Sequence, residues 1–301
     1  EMSGNENCSE NRFESVVKFL ANGELTLYKV FLWLWLFSPW LCADELVVAE
    51  ISLKGPFTQG GLVIGHGQPG TAVSLDGQKV AVSEQGLFSL GFDRDAPATM
   101  QLSLNLPDGS QRSHTLSIAR RDYQMQRIEG IAKKIMSPSP QALQRISADS
   151  LQVRQARAAI KPRTDFAGPF VWPLTGPITG VFGSQRVYNG EPKRPHYGVD
   201  VAAPTGTPLS TPAPGGVTLA HADMFYSGGT LIIDHGYGVS STLMHLSKVL
   251  VKVGDEVKPG DIVAEVGSSG RATGPHLDWR MNWYQSRIDP QLLVAPMAAN
   301  P

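Results

Sequence analysis

The amino-acid sequence predicts a mostly β protein with a small N-terminal β-sandwich, a helical linker and a second β-rich region. Composition is the first observation: 31 Gly and 22 Pro accompany only 18% charged residues, which favours short strands joined by many turns. Alternating apolar segments, each ended by a turn signal, recur in both halves of the chain. Between them lies a stretch, 141–160, that contains neither Gly nor Pro and is rich in helix formers.

Residues 1–43 are interpreted as a leader. Lys29 precedes a short apolar run, and the small residue Ala43 follows that run just before an acidic pair. This order is typical of a secretory signal over about 29–43, cleaved after Ala43. The run is too short for a good membrane span, with an uncleaved anchor as the alternative. We therefore expect export to the periplasm or cell envelope, with no stable membrane span after cleavage.

Cysteine content and charge narrow the chemistry. Cys8 and Cys42 both lie in the leader, so residues 44–301 contain no cysteine. That part needs no disulfide, and any metal site in it must use histidine and carboxylate ligands. The formal net charge is −1 and the sequence shows no strongly basic segment, which argues against a nucleic-acid partner.

Residues 44–118 have the pattern of a small β-sandwich. Strands are predicted on both sides of Asp76-Gly77, a dipeptide typical of a tight hairpin turn. Its two histidines, His66 and His114, are far apart in sequence and are interpreted as ordinary surface or edge residues. The region shows no catalytic constellation and is a candidate surface for a protein partner. The predicted strands are 46–51, 71–75, 79–82, 86–90, 100–104 and 114–118.

Residues 119–165 are predicted to be a linker that contains one helix. Ser139 is a suitable N-cap and Pro140 suits the first helical position, so a helix is expected over 141–160. Its apolar residues are loosely spaced, and we expect it to lie across the second β-rich region. Residues 166–295 form that region, followed by a tail at 296–301. Its predicted strands are 179–183, 229–233, 239–243, 251–257 and 261–267.

Histidine and aspartate cluster in the second region. One cluster runs from His196 to Asp200, another holds His276 and Asp278, and His245 lies between them. Residues two or four apart on a strand share a face, so each pair can point the same way. Three N and O ligands with one open position suit a catalytic zinc ion, which makes water nucleophilic near neutral pH. Either pair alone is more typical of a hydrogen-bonded surface pair, whereas the combination with a third histidine between them is more specific for a metal site.

Several motifs follow one another in order between Trp172 and Leu293. They are Phe182-Gly183, His196-Tyr197-Gly198-Val199-Asp200, Ala203-Pro204-Thr205-Gly206-Thr207-Pro208, His235-Gly236, His245-Leu246-Ser247, Gly267-Ser268-Ser269-Gly270 and Gly274-Pro275-His276-Leu277. Together they resemble the lysostaphin/LytM family of zinc peptidases. The resemblance implies an antiparallel β-sheet peptidase domain with a groove over 166–295, one Zn²⁺, and cleavage of peptide bonds in bacterial peptidoglycan.

The same resemblance implies a role for each matching residue. His196 and Asp200 match the first two metal ligands, and His245 and His276 match catalytic histidines. Asp278 stands where the family has a second histidine, its third zinc ligand. Aspartate can bind zinc, so the predicted metal site is His196, Asp200 and Asp278. Such a site is more anionic than the two-histidine version, and it is expected to hold zinc less tightly.

Three further residues are candidates for substrate contact. Arg186 and Tyr188 precede His196 and are placed to line the groove, although solvated loop residues are the equally plain interpretation. His235 is expected to pack beside the site. We interpret His221 as structural.

The favoured function is an exported zinc metalloendopeptidase that acts on peptidoglycan stems or crosslinks. The alternative is a catalytically inactive wall-binding scaffold or activator of another hydrolase. A carrier domain is disfavoured, because Pro259 follows Lys258 at the turn where a modified lysine is required. A further hypothesis is that the linker helix covers the groove and holds the enzyme latent.

Overall fold

The computed structural model describes residues 45–48, 50–129, 139–158 and 160–297. The predicted leader at 1–43 and the residues after 297 lie outside the described residues. The predicted mostly β fold class, with antiparallel sheets and one long helix, is confirmed. In the described part of the chain, no helix has both the length and the apolar character needed to cross a membrane.

Two four-stranded antiparallel sheets make up the N-terminal region. One has the order β1-β2-β3-β6 and the other the order β5-β4-β7-β8. Apolar side chains from both sheets, including Leu53, Phe88 and Leu102, belong to one hydrophobic core. The strands are β1 (Glu45–Val48), β2 (Ile51–Lys54), β3 (Leu62–Gly67), β4 (Ala72–Leu75), β5 (Gln78–Val80), β6 (Leu87–Gly91), β7 (Thr99–Asn105) and β8 (Gln111–Ser117).

The predicted hairpin at Asp76-Gly77 joins β4 to β5. Both residues have positive φ, 46° and 79°, as the type I′ turn requires. The single strand predicted over 46–51 is wrong: β1 and β2 are separate strands that pair with each other, with Val48 opposite Ile51.

The predicted linker contributes both a helix and a strand. Helix α1 spans Pro140–Ala158, and the Ser139 hydroxyl accepts a hydrogen bond from the Ala142 amide at 3.2 Å, as expected of an N-cap. Strand β9 (Met125–Ile128) pairs in parallel with β11 (Gln185–Tyr188). This part of the linker therefore belongs to the second region.

The second region is built around an eight-stranded antiparallel sheet of order β10-β13-β21-β17-β16-β15-β19, with β22 paired to β21. Smaller sheets flank it, of order β12-β11-β9 and β14-β20-β18. Its remaining strands are β10 (Ile178–Gly180), β12 (Glu191–Pro192), β13 (Val199–Ala202), β14 (Pro208–Ser210), β15 (Gly215–Met224), β16 (Gly228–Gly236), β17 (Val239–Leu246), β18 (Lys248–Val249), β19 (Glu256–Val257), β20 (Ile262–Glu265), β21 (His276–Trp283) and β22 (Ser286–Ile288).

One predicted strand of this region is wrong. Of 251–257, only β19 is a strand, because Lys252 to Asp255 form a turn in which the Asp255 carboxylate accepts a hydrogen bond from the Lys252 amide. The Asp255 amide donates in turn to the Lys252 carbonyl. The alternation of valine and polar residues is typical of a strand, but the turn prevents 251–255 from forming one.

The two β-rich regions share a core. The buried Trp283 on β21 donates from its indole N–H to the Ser89 carbonyl on β6 at 3.0 Å. Gly91 leaves space for the Trp283 side chain, since a Cβ at that position would overlap it. The N-terminal sheets therefore support the strand that carries the candidate site.

Helix α1 lies on one face of the large sheet. Val153 and Ala156 pack against Leu219, Met224 and Ile232 of β15 and β16. This is the side on which Asp234 and Thr242 also lie, since Ile232 is paired with Thr242 and Asp234 with Ser240. The expectation that the helix lies across the second region agrees with this packing.

Candidate metal and catalytic site

Strands β13 and β21 bring two carboxylates side by side. They are antiparallel neighbours in which Asp200 is opposite Asp278 and Ala202 is opposite His276. Because side chains alternate along a strand, His276, Asp278 and Arg280 project from one face of β21. The intervening residues Leu277 and Trp279 are fully buried on the other face.

His196 reaches the site from a loop. The expectation that His196 and Asp200 share a strand is wrong, because β13 begins at Val199. Two backbone hydrogen bonds fix the loop instead: the His196 amide donates to the Ser184 carbonyl, and the Gly183 amide donates to the His196 carbonyl, both at 2.8 Å. The imidazole is thereby held above Asp200.

The three predicted metal ligands lie together. One ligand atom each from His196, Asp200 and Asp278 lie within 4.8 Å of one another. His196 Nε2 is 3.3 Å from Asp200 Oδ1, and His196 Nδ1 is 4.0 Å from Asp278 Oδ2. Ligands about 2.0–2.1 Å from a tetrahedral zinc ion are roughly 3.3 Å apart, so the first distance matches an edge of that tetrahedron.

Two of these ligand atoms are buried without a hydrogen-bond partner among the described residues. They are His196 Nε2 and Asp200 Oδ1. Buried polar atoms are seldom left unsatisfied, so the pair is suited to an ion between them. Burial lowers the pKa of His196, but its close approach to Asp200 and the negative charge of Asp278 raise the pKa above its usual value. The same carboxylates would attract a metal cation.

Two glycines make room for the carboxylates. A Cβ at Gly180 on β10 would overlap the Asp200 carboxylate, and a Cβ at Gly198 would overlap the Asp278 carboxylate. Neither glycine was identified as functional from the sequence, because the space each one leaves depends on strand pairing.

Arg280 is the partner of Asp278. Its Nε lies 2.9 Å from Asp278 Oδ1, and its Nη2 lies 2.7 Å from Asp278 Oδ2. Burial raises the pKa of the Asp278 carboxyl, but the charge and hydrogen bonds of Arg280 outweigh burial and hold the pKa below its usual value. Asp278 is therefore an ionised, buried carboxylate whose extra charge is offset.

This pairing modifies the expectation of a more anionic metal site. Replacing a neutral histidine by Asp278 adds one negative charge, and Arg280 adds one positive charge. With both counted, His196, Asp200, Asp278 and Arg280 carry the same net charge of about −1 as a His, Asp, His set. Sequence reasoning missed Arg280, although its position two residues after Asp278 on a strand places it on the same face.

His245 has a strained backbone. It lies near the end of β17 with φ of 63°, a left-handed conformation that costs a non-glycine residue roughly 1–3 kcal/mol. Its Nδ1 is 2.8 Å from the Ser269 carbonyl, and its ring centroid is 4.9 Å from that of His276. This conformation interrupts the regular alternation of β17 and places the imidazole beside β21.

The two predicted catalytic histidines are held in the same way. His276 Nδ1 is 2.8 Å from the Gly274 carbonyl, as His245 Nδ1 is from that of Ser269. A carbonyl can only accept, so each Nδ1 donates its proton and leaves a lone pair on Nε2. Burial lowers the pKa of His245, which keeps that imidazole neutral near pH 7.

The predicted substrate-contact residues are not grouped. His235 is fully buried on the opposite face of the sheet, where its Nε2 meets the Ser241 hydroxyl at 2.7 Å and its Nδ1 meets the Pro214 carbonyl at 2.6 Å. It cannot touch a substrate, and that prediction is corrected. Arg186 is exposed and Tyr188 half-buried on β11. Their contact with a substrate stays a prediction.

Comparisons with known proteins point to one family. The sequence profile of peptidase family M23 matches residues 194–290, which include the three predicted metal ligands and both predicted catalytic histidines. The chain is similar to a solved structure described as a putative peptidase M23 from Pseudomonas aeruginosa, with a TM-score of 0.62 and 28% identity. That match covers 79% of this chain and 94% of the other.

Two curated relatives are similar to part of the chain. An "uncharacterized metalloprotease" of Haemophilus influenzae is 33% identical over 141 residues, 47% of this chain. The "peptidoglycan DD-endopeptidase ShyA" of Vibrio cholerae is 36% identical over 106 residues, 35% of this chain. The matches cover 27% and 24% of those proteins, so the chain spans about a quarter of the length of the curated relatives it matches.

Proposed function

The chain carries a domain of peptidase family M23, and we propose that it is an exported endopeptidase that hydrolyses peptide bonds in peptidoglycan stems or crosslinks with one zinc ion. The observation that supports this most is the grouping of His196, Asp200 and Asp278 next to His245 and His276. The similarity to a protein named as a peptidoglycan DD-endopeptidase supports peptidoglycan as the substrate.

The donor set fits a zinc ion. His196 Nε2 and Asp200 Oδ1 are buried, lack partners among the described residues and are 3.3 Å apart. Asp278 keeps lone pairs that Arg280 does not use, since a carboxylate has about four acceptor sites. A zinc ion bound by these three residues would supply a Lewis acid that polarises the scissile carbonyl and acidifies a water molecule.

The two histidines would manage the proton. The lone pair on Nε2 of His245 or His276 can accept a proton from the water that attacks the scissile carbonyl. The imidazolium that forms can stabilise the negative charge on the carbonyl oxygen. It can then return the proton to the leaving amine, so that one amide bond is replaced by a carboxyl group and an amine.

Asp200 has a second function in this arrangement. Its Oδ1 lies 3.8 Å from His276 Nε2 as well as 3.3 Å from His196 Nε2. The Asp200 carboxylate therefore borders both the proposed metal ligand His196 and the proposed proton acceptor His276.

The substrate would be met outside the cytoplasm. We place the protein in the periplasm or cell envelope, because peptidoglycan lies there and because residues 29–43 have the pattern of a signal peptide. Cell fractionation followed by N-terminal sequencing of the mature chain checks this. Full-length protein found in the cytoplasm would contradict it.

Metal content beside activity tests the proposal. Purified wild type is expected to contain about one zinc ion per chain and to release muropeptides from isolated peptidoglycan. Asp278→Ala should lose both properties, because one ligand is removed and Arg280 is left as an uncompensated cation beside the site. Asp278→His should keep zinc. His66→Ala, an exposed histidine of the N-terminal region, is the matched control.

The opposite pattern would support a catalytically inactive scaffold. In that case wild type binds no zinc and releases nothing, while Asp278→His gains both. Retained pull-down of peptidoglycan by the inactive wild type would then assign a wall-binding function. This alternative is not favoured, because the two relatives and the solved structure described above are named as a metalloprotease, an endopeptidase and a peptidase.

A further inference from the structure

Four arginines from separate elements meet beside the candidate site. Arg280 lies on β21, Arg287 on β22, Arg194 in the loop before His196, and Arg157 in the last turn of α1. They are spread over more than 130 residues of sequence, in a chain whose formal net charge is only −1. The fold thus concentrates positive charge that no local run of the sequence contains. We call these residues the arginine cluster.

Hydrogen bonds place two members along the face of β21 that carries Asp278. Arg157 Nη2 donates to Thr242 Oγ1 at 2.7 Å, and Thr242 is opposite Arg280 in the pairing of β17 with β21. Arg287 Nη1 donates to Asn282 Oδ1 at 3.1 Å, and Asn282 is the next residue after Arg280 on that face. The cluster therefore continues the line that begins at His276 and Asp278.

The ring of Tyr197 contacts two arginines of the cluster. The guanidinium carbons of Arg194 and Arg287 each lie 5.4 Å from the centroid of its ring. Such contacts stabilise a cation through the negative potential of the ring face. Tyr197 is the residue after the metal ligand His196, so this contact ties the cluster to the metal site.

Three members of the cluster have no paired carboxylate. Within the described part of the chain, no carboxylate lies within 4 Å of the guanidinium of Arg157, Arg194 or Arg287, whereas Arg280 pairs with Asp278. The Asp93 carboxylate accepts a hydrogen bond from the backbone amide of Arg287 and partly offsets the charge of that residue. The buried Nε of Arg157 has no hydrogen-bond partner among the described residues.

This arrangement is costly without a bound anion. Burial and repulsion from the other arginines lower the pKa of Arg157 to about 9 and that of Arg287 to about 10. Buried charges are normally paired, and buried donors are normally satisfied. A carboxylate would supply both the charge and the acceptor, since the planar guanidinium matches it with two parallel hydrogen bonds.

We propose that Arg157 and Arg287 bind a carboxylate of the peptide substrate, on the carbon that bears the leaving amine nitrogen. Arg280 is two residues from Asp278, which is roughly 7 Å along the strand, so the cluster lies about one peptide residue beyond the metal site. This inference rests on the proposed peptidase function and adds a preference. The scissile bond is followed by a C-terminal residue or by a crosslinking diamino acid with a free carboxylate.

A matched pair of substrates tests this directly. One is a synthetic stem peptide that ends in D-Ala-D-Ala as the free acid, and the other is its C-terminal amide. Wild type is expected to have a KM for the acid at least about tenfold below that for the amide, which is the discrimination expected from a charge-assisted hydrogen bond. Arg157→Gln and Arg287→Gln should each bring the ratio of the two KM values towards one.

Arg154→Gln is the control. Arg154 is exposed on the same helix, one turn before Arg157, so its loss removes the same charge from outside the arginine cluster. The acid preference should persist in this variant. If one of the two cluster variants fails to fold, the other carries the same comparison, because Arg157 and Arg287 lie on different elements.

Binding without turnover separates this inference from the proposed function. Calorimetric titration of His245→Asn protein with the acid and amide peptides should show tighter binding of the acid. If acid and amide bind equally and are cleaved with equal KM, the carboxylate site is overturned while the peptidase stands. Acid-selective binding by a wild type that cleaves neither peptide keeps the site and overturns the proposed function. Acid preference that survives in both Arg157→Gln and Arg287→Gln also overturns the assignment.

Discussion

The two faces of β21 differ in what stabilises them. On one face lie His276, Asp278 and Arg280, which are half-buried or paired by charge. On the other, Leu277, Trp279 and Met281 are fully buried in the core. The apolar face is stabilised by close packing, so a cavity there lowers the stability of the fold. The polar face depends on partners supplied by distant elements, so its chemistry can change without loss of the fold.

Two buried histidines, one on each face of the sheet, show the same difference. His235 and His245 are both buried, and each has Nδ1 at a backbone carbonyl. On the core face, the Nε2 of His235 is also occupied, by Ser241. On the site face, the ring of His245 lies against that of His276. Because both histidines are buried, burial does not distinguish the candidate proton acceptor His245 from the structural His235. The difference is that the Nε2 of His235 is hydrogen-bonded to a core side chain.

The largest expected effect is on catalysis at the polar face. His245→Asn should lower kcat/KM on peptidoglycan fragments by roughly 10²–10⁴-fold, the range for loss of a general base. Its thermal midpoint should stay the same or rise, because asparagine tolerates the left-handed backbone at this position. Steady-state kinetics beside calorimetry checks this. A variant that keeps its activity would remove His245 from the mechanism.

On the apolar face, Trp279→Ala should mainly affect stability. The free energy of unfolding is expected to fall by about 3–5 kcal/mol, because a fully buried indole is replaced by a cavity. Urea denaturation followed by fluorescence of the remaining tryptophans measures it. Val253→Ala, which truncates an exposed side chain, should change stability by less than about 0.5 kcal/mol. Equal effects of the two substitutions would contradict the distinction between the faces.

Arg280→Gln tests charge compensation at the polar face. Without metal, the variant should lose roughly 3–5 kcal/mol of stability, because Asp278 becomes a buried carboxylate without its cation. Zinc should then bind at least about tenfold more tightly, since one positive charge has been removed from the neighbourhood of the ion. Chelator competition and melting with and without zinc measure both effects. Weaker zinc binding would show instead that Arg280 orients Asp278.

The smallest effect is the pH dependence contributed by His235. Burial lowers its pKa to about 4, so the folded state favours the neutral ring. This contribution to stability is fully present above the unfolded pKa of about 6.5, and it is lost as the pH falls towards 4. Between pH 7 and pH 5 the loss should be about 2 kcal/mol.

A variant separates this contribution from that of the neighbouring residue. Burial raises the pKa of Asp234 to about 6, which has the opposite sign: stability rises as the pH falls through 6. His235→Gln keeps Asp234 and removes only the histidine. Between pH 7 and pH 5, the free energy of unfolding measured by denaturation should therefore fall less in His235→Gln than in wild type. An identical change in the two proteins would exclude His235 as the source of the pH dependence.

Much of the fold could be predicted because local patterns are enough for it. The hairpin at Asp76-Gly77 and the Ser139 cap both depend on residues close in sequence, and both predictions are confirmed. The failures had two causes: a local turn that alternation concealed, and a pairing between segments far apart in sequence. Residues 251–255 alternate like a strand but form a turn, and 125–128 joined a parallel pairing with β11 that no local signal announces.

The candidate site divides in the same way. His196, Asp200, His245, His276 and Asp278 were identified from residue type and order alone, and the structure brings them together. Arg157, Arg280 and Arg287 were not identified, and His235 was placed on the wrong face. The positions of these residues depend on which strands are neighbours and on where α1 crosses the sheet. Neither can be predicted from the spacing of residues within one strand.

By itself, the sequence determined the β-rich class, the resemblance of residues 194–290 to peptidase family M23 and the types of ligand available, because composition, ordered motifs and the absence of cysteine after residue 43 are properties of the chain alone. Tertiary structure alone decided that Asp278 is paired with Arg280, that His245 has a left-handed backbone, and that arginines from four elements form one cluster. The reason is that electrostatic and hydrogen-bond partners are set by distance in space. Strand pairing brings residues more than 100 positions apart into contact.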